Sequence, residues 1–406
     1  MKFPRERTCP VVLSAGLVCL ALPLQGHAAG ALEIRGFMGA ETRIFAEHAA
    51  YPGQHGLNGS FVAQPELGWQ SPDGTHTIVF SPFARLDQGD SRRTHADVRE
   101  LTYLYAEERW SFTAGIGREF WGVAESNHLV DVINQTDLVE NIDMEDKLGQ
   151  PLLKLARHED WGSLEFFVLP GARQRTFPGK SGRLRTEPRV DTSSATWESA
   201  AENTHTDFAL RYSHSWSALD IGLAHFHGTT REPEFQLAST ESGSPILRPH
   251  YALIDQTSID ASYAWESWVF KLEALYRTGQ AESFGAVVSG FEYTTAGVLG
   301  TAFDLGWLAE YHTDGRGRAT LTPFNHDLFL GSRLAFNDFA DTRILLGLIA
   351  DLHGEGRFLN LEASRRLGER WAVELETRVF WSAAPPNPLG FVTQDDYVQI
   401  QLNRFF

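Results

Sequence analysis

The sequence predicts an all-β fold, a transmembrane antiparallel up-and-down β-barrel of about eighteen strands, or sixteen, with no plug domain. Three observations carry this. Segments of roughly ten residues recur along the chain with apolar and polar side chains alternating, which is strand periodicity. Short joints near 71–74, 107–109, 159–162, 216–218, 265–268, 337–341 and 367–370 take turns with mostly longer polar connections, the longest near 122–148, 173–205 and 230–255, as when tight turns gather at one end of a barrel and loops at the other. Trp69, Trp110, Trp161, Trp216, Trp265, Trp268 and Trp371 all flank the short joints, so folding the hairpins brings them to one rim, where indole suits the lipid headgroup level.

From the N-terminus, residues 1–28 read as a secretory signal peptide: Lys2, Arg5 and Arg7, then an apolar run from Val11 to Leu24, then Gly26-His27-Ala28. Cleavage is expected after Ala28, with Ala31 as second choice; Cys19 as a lipid-bearing residue would need a better context than Leu17-Val18. Both cysteines, Cys9 and Cys19, fall inside this segment, so the exported chain is expected to carry no thiol or disulfide. Residues 29–406 show no linker or shift in composition and read as a single barrel domain. No other stretch approaches about 18 continuous apolar residues, which excludes a helical membrane protein. A formal charge of −17 argues against nucleic acid as a partner, since that binding needs Lys and Arg on phosphate.

The strands are expected near 32–45, 60–70, 75–87, 96–106, 109–120, 150–158, 162–173, 206–215, 218–227, 257–265, 268–278, 289–298, 302–311, 325–336, 342–352, 357–366, 370–381 and 393–406. In the first, Glu33, Arg35, Glu41 and Arg43 alternate with Leu32, Ile34, Met38 and Ile44. Gln64 and Glu66 alternate with Ala63 and Leu67, Lys271 and Glu273 with Phe270 and Leu272, and Glu374, Glu376 and Arg378 with Val373, Leu375 and Val379. The alternation is poorest over 289–298; losing that hairpin partner leaves sixteen strands. Either count leaves an aqueous lumen. The first strand begins at the cleavage site, with no room for an N-terminal plug. A soluble β-sandwich alternates too, but its core has no place for a ladder of Arg and Glu.

The last ten residues read YVQIQLNRFF, with Val398, Ile400, Leu402 and Phe406 on one face and Tyr397, Gln399, Gln401 and Asn403 on the other. A strand that ends a chain leaves an open edge unless it closes a barrel. This ending resembles that of Gram-negative outer-membrane proteins of the porin-like kind. The resemblance implies residence in the outer membrane, contact with membrane lipid and lipopolysaccharide, and recognition of the terminal strand by the barrel-assembly machinery. It further implies passive diffusion of small hydrophilic solutes through a charged lumen, and it admits a homo-oligomer.

By strand parity the expected pore-lining residues include Arg35, Arg43, Glu66, Arg85, Lys271, Glu273, Arg333, Glu374 and Arg378. They are read either as a mutually neutralising wall or as a selectivity surface. Inward acids slightly outnumber inward bases, which leans towards cations, although a local arginine cluster would reverse it. The most distinctive connection is 117–146, dense in Arg118, Glu125, Asp131, Asn134 and Asp137 yet studded with Leu129, Val130, Val132, Ile133 and Leu138. Apolar anchors suit a loop folded into the barrel to narrow it; the alternative is an external cap with a short helix. Gly115, Gly117, Arg118, Trp121, Gly122, Asp131 and Asn134 also resemble a pattern in alginate-export-type porins and uncharacterised proteobacterial barrels. Such exporters would be expected to line the pore with excess Arg and Lys, which this chain does not do.

No catalytic group stands out. Ser213, His214 and Ser215 are adjacent and alternate faces. His225 and His227 share a face as a metal pair would, with no third ligand evident in the sequence. The expectation is a porin-like channel that is not an enzyme and uses no cofactor or metal. The alternative is a structural or binding barrel closed by its loops, with a polysaccharide-export porin or an outer-membrane enzyme behind it.

Overall fold

A computed structural model describes residues 30–280, 282–317, 324–354, 356–381 and 388–406. The signal peptide reading of 1–28 lies outside the described residues. The first strands are β1 (Ala31–Phe45), β2 (Leu57–Gln70), β3 (His76–Asp87), β4 (His95–Ala106), β5 (Trp110–Gly117), β6 (Gln150–Glu159) and β7 (Gly162–Pro170). After the two-residue β8 (Thr196–Trp197) come β9 (Thr206–Trp216), β10 (Leu219–Thr229), β11 (Glu234–Ser239), β12 (Pro245–Tyr251), β13 (Leu253–Trp265) and β14 (Trp268–Thr278). The chain ends with β15 (Phe284–Thr295), β16 (Asp304–Asp314), β17 (His326–Ala335), β18 (Arg343–Asp351), β19 (Arg357–Leu367), β20 (Trp371–Trp381) and β21 (Tyr397–Phe405).

Eighteen of these form one antiparallel sheet, and β8, β11 and β12 form a separate small sheet within the long connections. The barrel closes where β21 pairs with β1, from Phe37 opposite Phe405 to Phe45 opposite Tyr397. The terminal strand therefore has no free edge, as its sequence suggested. All eighteen expected strands are present. The poorly alternating one lies at 284–295 rather than 289–298; β5 stops at Gly117 rather than 120, β7 at Pro170 rather than 173, and β13 begins at Leu253 rather than 257. Gly117 and Pro170 are where the chain turns off the wall into long connections. No α-helix and no separate plug domain lies among the described residues.

The outer surface is apolar. Ile34, Met38, Phe61, Leu86, Leu153, Leu210, Leu223, Leu330, Ile400 and Leu402 are all exposed there. A closed wall with such a band is an outer-membrane-type barrel surface, since lipid replaces the protein core as the partner of these side chains. The tryptophans at the short joints sit at one end of it, and Trp110, Trp161, Trp216, Trp265 and Trp371 are exposed. Three of the turns at that end are as short as two residues, and in two of them Ser217 and Glu266 are held at positive φ, the conformation a tight hairpin needs.

The interior differs between the two ends. On the loop side, Trp121, Val130, Val132 and Ile133 pack against Leu152, Phe167, Leu169, Ala209, Ala224, Phe226 and Ile254 of β6, β7, β9, β10 and β13. This is a conventional apolar core inside the barrel. Burying a side chain such as Ile133 stabilises by about 1.5–3 kcal/mol, so the patch fastens segment 118–149 to one wall.

Candidate functional site

Segment 118–149 leaves the wall at Gly117 and crosses the lumen. Its apolar anchors take the β6–β13 side. Its polar groups reach the opposite side by two kinds of bond. Glu273 on β14 accepts the backbone N–H groups of Val123, Ala124 and Val130 at 2.6, 2.7 and 3.1 Å. Glu310 on β16 accepts those of Glu125 and Ser126 at 2.7 and 2.9 Å. Two buried wall carboxylates thus satisfy backbone donors that no strand partner supplies. Gly122 stands at φ +127°, and a Cβ there would lie 2.6 Å from the Glu273 carboxylate. The glycine lets the backbone approach that closely.

Ion pairs then tie the segment to the ladder of charges on the strands. Glu125 meets Arg333 at 2.6 Å and Lys271 at 3.8 Å, and both cations also face Glu292. Asp143 meets Arg378 at 2.8 Å, and the same guanidinium reaches Glu362 at 3.0 Å and Glu376 at 3.2 Å. Glu140 meets Arg85 at 2.7 Å, while its carbonyl accepts from Arg43 at 2.7 Å. Asp137 meets Arg99 at 2.6 Å and accepts from Thr176 at 2.6 Å. The segment is therefore bonded to β1, β3, β4, β14, β16, β17 and β20 as well as packed on the apolar wall.

Of the residues expected to line the pore, Arg43, Arg85, Lys271, Glu273, Arg333 and Arg378 come together around this segment. Arg35 and Glu66 pair with each other at 2.5 Å, exposed on the turn side. Glu374 sits opposite Gln401 in the β20–β21 register. Within the segment, Glu125 contacts the ladder. Asp131 is buried against Lys147 at 3.1 Å. Asn134 is buried as a local tie, donating to the carbonyls of Gly117 and Leu148 and accepting from Glu119. Arg118 remains exposed and enters no ion pair among the described residues. His128 bonds Glu145 at 2.7 Å; burial works against its charged form, but the carboxylate prevails and pushes its pKa up to about 9.

Parity could not find Arg99. Pro82 interrupts the β3–β4 ladder, and the register skips Arg99, so that Ser81 faces Glu100 and Pro82 faces Val98. That β-bulge turns an extra cation inward, where it also lies over the Phe83 ring at 4.3 Å. Arg93, Glu140, Asp143, Arg231 and Arg316 were missed because they belong to connections, where no period assigns a direction.

Among the described residues two groups have metal-like spacing, and both are held by arginine instead. His95 Nε2 lies 3.5 Å from Asp137 and 3.6 Å from Glu140, but the same carboxylate oxygens accept from Arg99 at 2.6 Å and Arg85 at 3.0 Å. Asp143, Glu362 and Glu376 surround Arg378, whose guanidinium is the cation of that group. His225 and His227 are exposed on the wall and converge on Asp255 at 3.7 and 2.9 Å.

No protein-family model and no curated protein sequence matches the chain. Solved structures do. Wzi of Escherichia coli, described as an outer-membrane protein involved in group 1 capsule assembly and a carbohydrate-binding β-barrel, aligns over 91% of this chain and 84% of its own at 7% identity and a TM-score of 0.52. OmpT of Vibrio cholerae, an outer-membrane protein, aligns over 93% and 100% at 10% identity and a TM-score of 0.47. A mutant of the Rh. blastica porin aligns over 93% and 100% at 9% identity and a TM-score of 0.43. At 7% identity the likeness to Wzi is one of fold alone, and it agrees with the closed outer-membrane-type barrel reached from the wall itself.

Proposed function

We propose that the chain is an outer-membrane channel that passes small hydrophilic solutes by passive diffusion, with segment 118–149 as its constriction. The observation that supports this best is the segment's position inside a lumen lined by charged strand faces, bonded to walls on opposite sides. Solutes entering from the turn side meet the exposed Glu33, Arg35 and Glu66 and then the narrow region around Glu125, Lys271, Arg333 and Arg378. At such distances fixed charges of both signs select by charge and size together. Passive passage needs no catalytic residue and no cofactor. Insertion is read as depending on the assembly machinery's recognition of the β21 strand and Phe406.

A second reading is a barrel closed by its loops and used for binding or structure. It is favoured by the number of wall strands that segment 118–149 engages. Planar-bilayer recordings separate the two. A channel gives discrete conductance steps, with a reversal potential in a salt gradient that depends on the lumen charges. Absence of steps from correctly inserted protein would leave the closed barrel.

A further inference from the structure

Between segment 118–149 and the β14–β16 wall lies a cavity of about 140 Å³. Its lining brings together arginines from four separate stretches of chain: Arg175 from the connection after β7, Arg231 from the connection after β10, Arg277 from β14, and Arg316 from the connection after β16. Among the described residues these four guanidiniums share three carboxylates. Arg231 meets Asp207 at 2.8 Å, Arg316 meets Asp314 at 2.7 Å, and Arg277 and Arg316 share one oxygen of Glu232 at 3.0 and 3.1 Å. Arg175 has no carboxylate partner there; it donates only to the amide oxygen of Gln135 at 3.3 Å and the carbonyl of Arg231 at 2.8 Å. The other charged lining groups are mostly matched, His128 with Glu145 and Lys147 with Asp131, and Asp143 belongs to Arg378.

A second observation is independent of that charge count. Arg231 is buried, and its Nη2 has no hydrogen-bond partner. His128 Nδ1, on the same lining, is likewise buried and unpartnered. An unmatched guanidinium away from bulk water is costly, and so is an unsatisfied buried donor. Both costs are relieved by one group: an anion with several acceptor oxygens. Guanidinium geometry matches a carboxylate or a phosphate in particular.

We propose that this cavity is a binding subsite for a small anionic solute bearing a carboxylate or a phosphate, held chiefly by Arg175 and Arg231. The proposal deepens the channel reading and rests on it for the solute's access. It also reverses locally the lean towards cations that the strand faces suggest. The volume admits one small organic acid or a phosphate, not a polymer.

The test is isothermal titration of the full-length protein in detergent micelles with inorganic phosphate and, separately, with acetate. Glycerol serves as a neutral probe. Wild type is expected to bind at least one of the two anions and not glycerol. The anion that binds identifies which source of the shared chemistry the site prefers. Arg175→Gln is expected to weaken that binding by tenfold or more, and Arg175→Lys to restore part of it. Should Arg175→Gln not insert, Arg316→Gln is expected to weaken the same anion. No binding of either anion, equal binding of glycerol, or unchanged affinity in the inserted glutamine variant overturns the proposal. The failure of the channel reading is seen elsewhere, as absent conductance in bilayers, and micelle binding is measurable in either case.

Discussion

Two ends of β1 carry the same pair of residues on the same inward face. On the turn side, Glu33 and Arg35 lie 3.8 Å apart with side chains 47% and 51% exposed. On the loop side, Glu41 and Arg43 lie 3.4 Å apart at 2% and 7%. The strand, the parity and the chemistry are alike. The difference is the packing of segment 118–149 and the connection before β4 over the second pair. Exposed pairs contribute about 0–1 kcal/mol. A buried pair pays for desolvation and survives only when its remaining valences are met. Accordingly Glu41 also receives Arg85 at 2.8 Å and Arg93 at 2.7 Å, and Arg93 in turn donates to the carbonyl of Val139 at 2.9 Å. The lumen is thus a wet vestibule at one end and a folded interior at the other.

The strongest way to break this contrast is to remove its cause. Deleting residues 123–136 takes away the backbone donors held by Glu273 and Glu310 and most of the apolar anchors. Single-channel conductance in planar bilayers is expected to rise severalfold. An unchanged conductance would mean that the segment does not set the narrowest point.

Next in size is Glu41→Gln, which leaves Arg43, Arg85 and Arg93 crowded with less negative charge. Removing one partner of a buried ion cluster costs about 3–5 kcal/mol. The variant is expected to lose its heat-resistant folded band on gels at lower temperature than wild type, whereas Glu33→Gln is not. Equal thermal behaviour of the two would erase the contrast between the ends of β1. A smaller loss, about 2 kcal/mol, is expected for Glu273→Gln, because three backbone N–H groups then share one neutral oxygen. Its effect is local, and hydrogen exchange at Val123, Ala124 and Val130 should accelerate while the barrel strands stay protected.

How much of this was legible in the sequence follows the same boundary. The wall was legible because a strand's period assigns each side chain a face, and lipid on one side with polar groups on the other keeps that period readable in most strands, the stretch 289–298 and the bulge at Pro82 excepted. The tryptophan rim was legible because short turns fix their own position. The folded interior was only half legible. Val130, Val132 and Ile133 hinted that segment 117–146 packs inward, but nothing in the sequence could say that Glu140 would meet Arg85 or Asp143 meet Arg378. Those pairs join distant stretches through a connection without periodicity. Arg99 was hidden for a narrower reason: a proline in the neighbouring strand shifts the register by one residue there.

The segment's hold is expected to weaken in alkali. The His128 pKa is raised to about 9 in the folded protein because the Glu145 carboxylate outweighs the opposing effect of burial. A raised histidine pKa stabilises fully below the unfolded value near 6.5, and the contribution is lost as pH climbs through about 9. Open-channel noise should therefore increase between pH 7 and 10 in wild type. His128→Gln should show the noisy behaviour at all of these values. A flat profile in wild type would mean that the pair does not help to hold the segment.

The smallest effect is expected in the vestibule. Arg35→Gln removes a cation that meets Glu66 at 2.5 Å and Glu33 at 3.8 Å, all in contact with solvent. Folding should change by no more than about 1 kcal/mol. The local charge becomes more negative, so at low salt the reversal potential should move slightly towards cations. At about 1 M salt the Debye length falls to about 3 Å and the shift should vanish. The salt dependence is the informative part. A charge buried on the loop side, such as Arg43 at the far end of the same strand, is screened little by bulk ions, so the same measurement on Arg43→Gln should retain its shift at high salt. If the two variants respond to salt alike, the vestibule and the interior present the same dielectric to a passing ion, and the ends of the lumen are not as different as their burial implies.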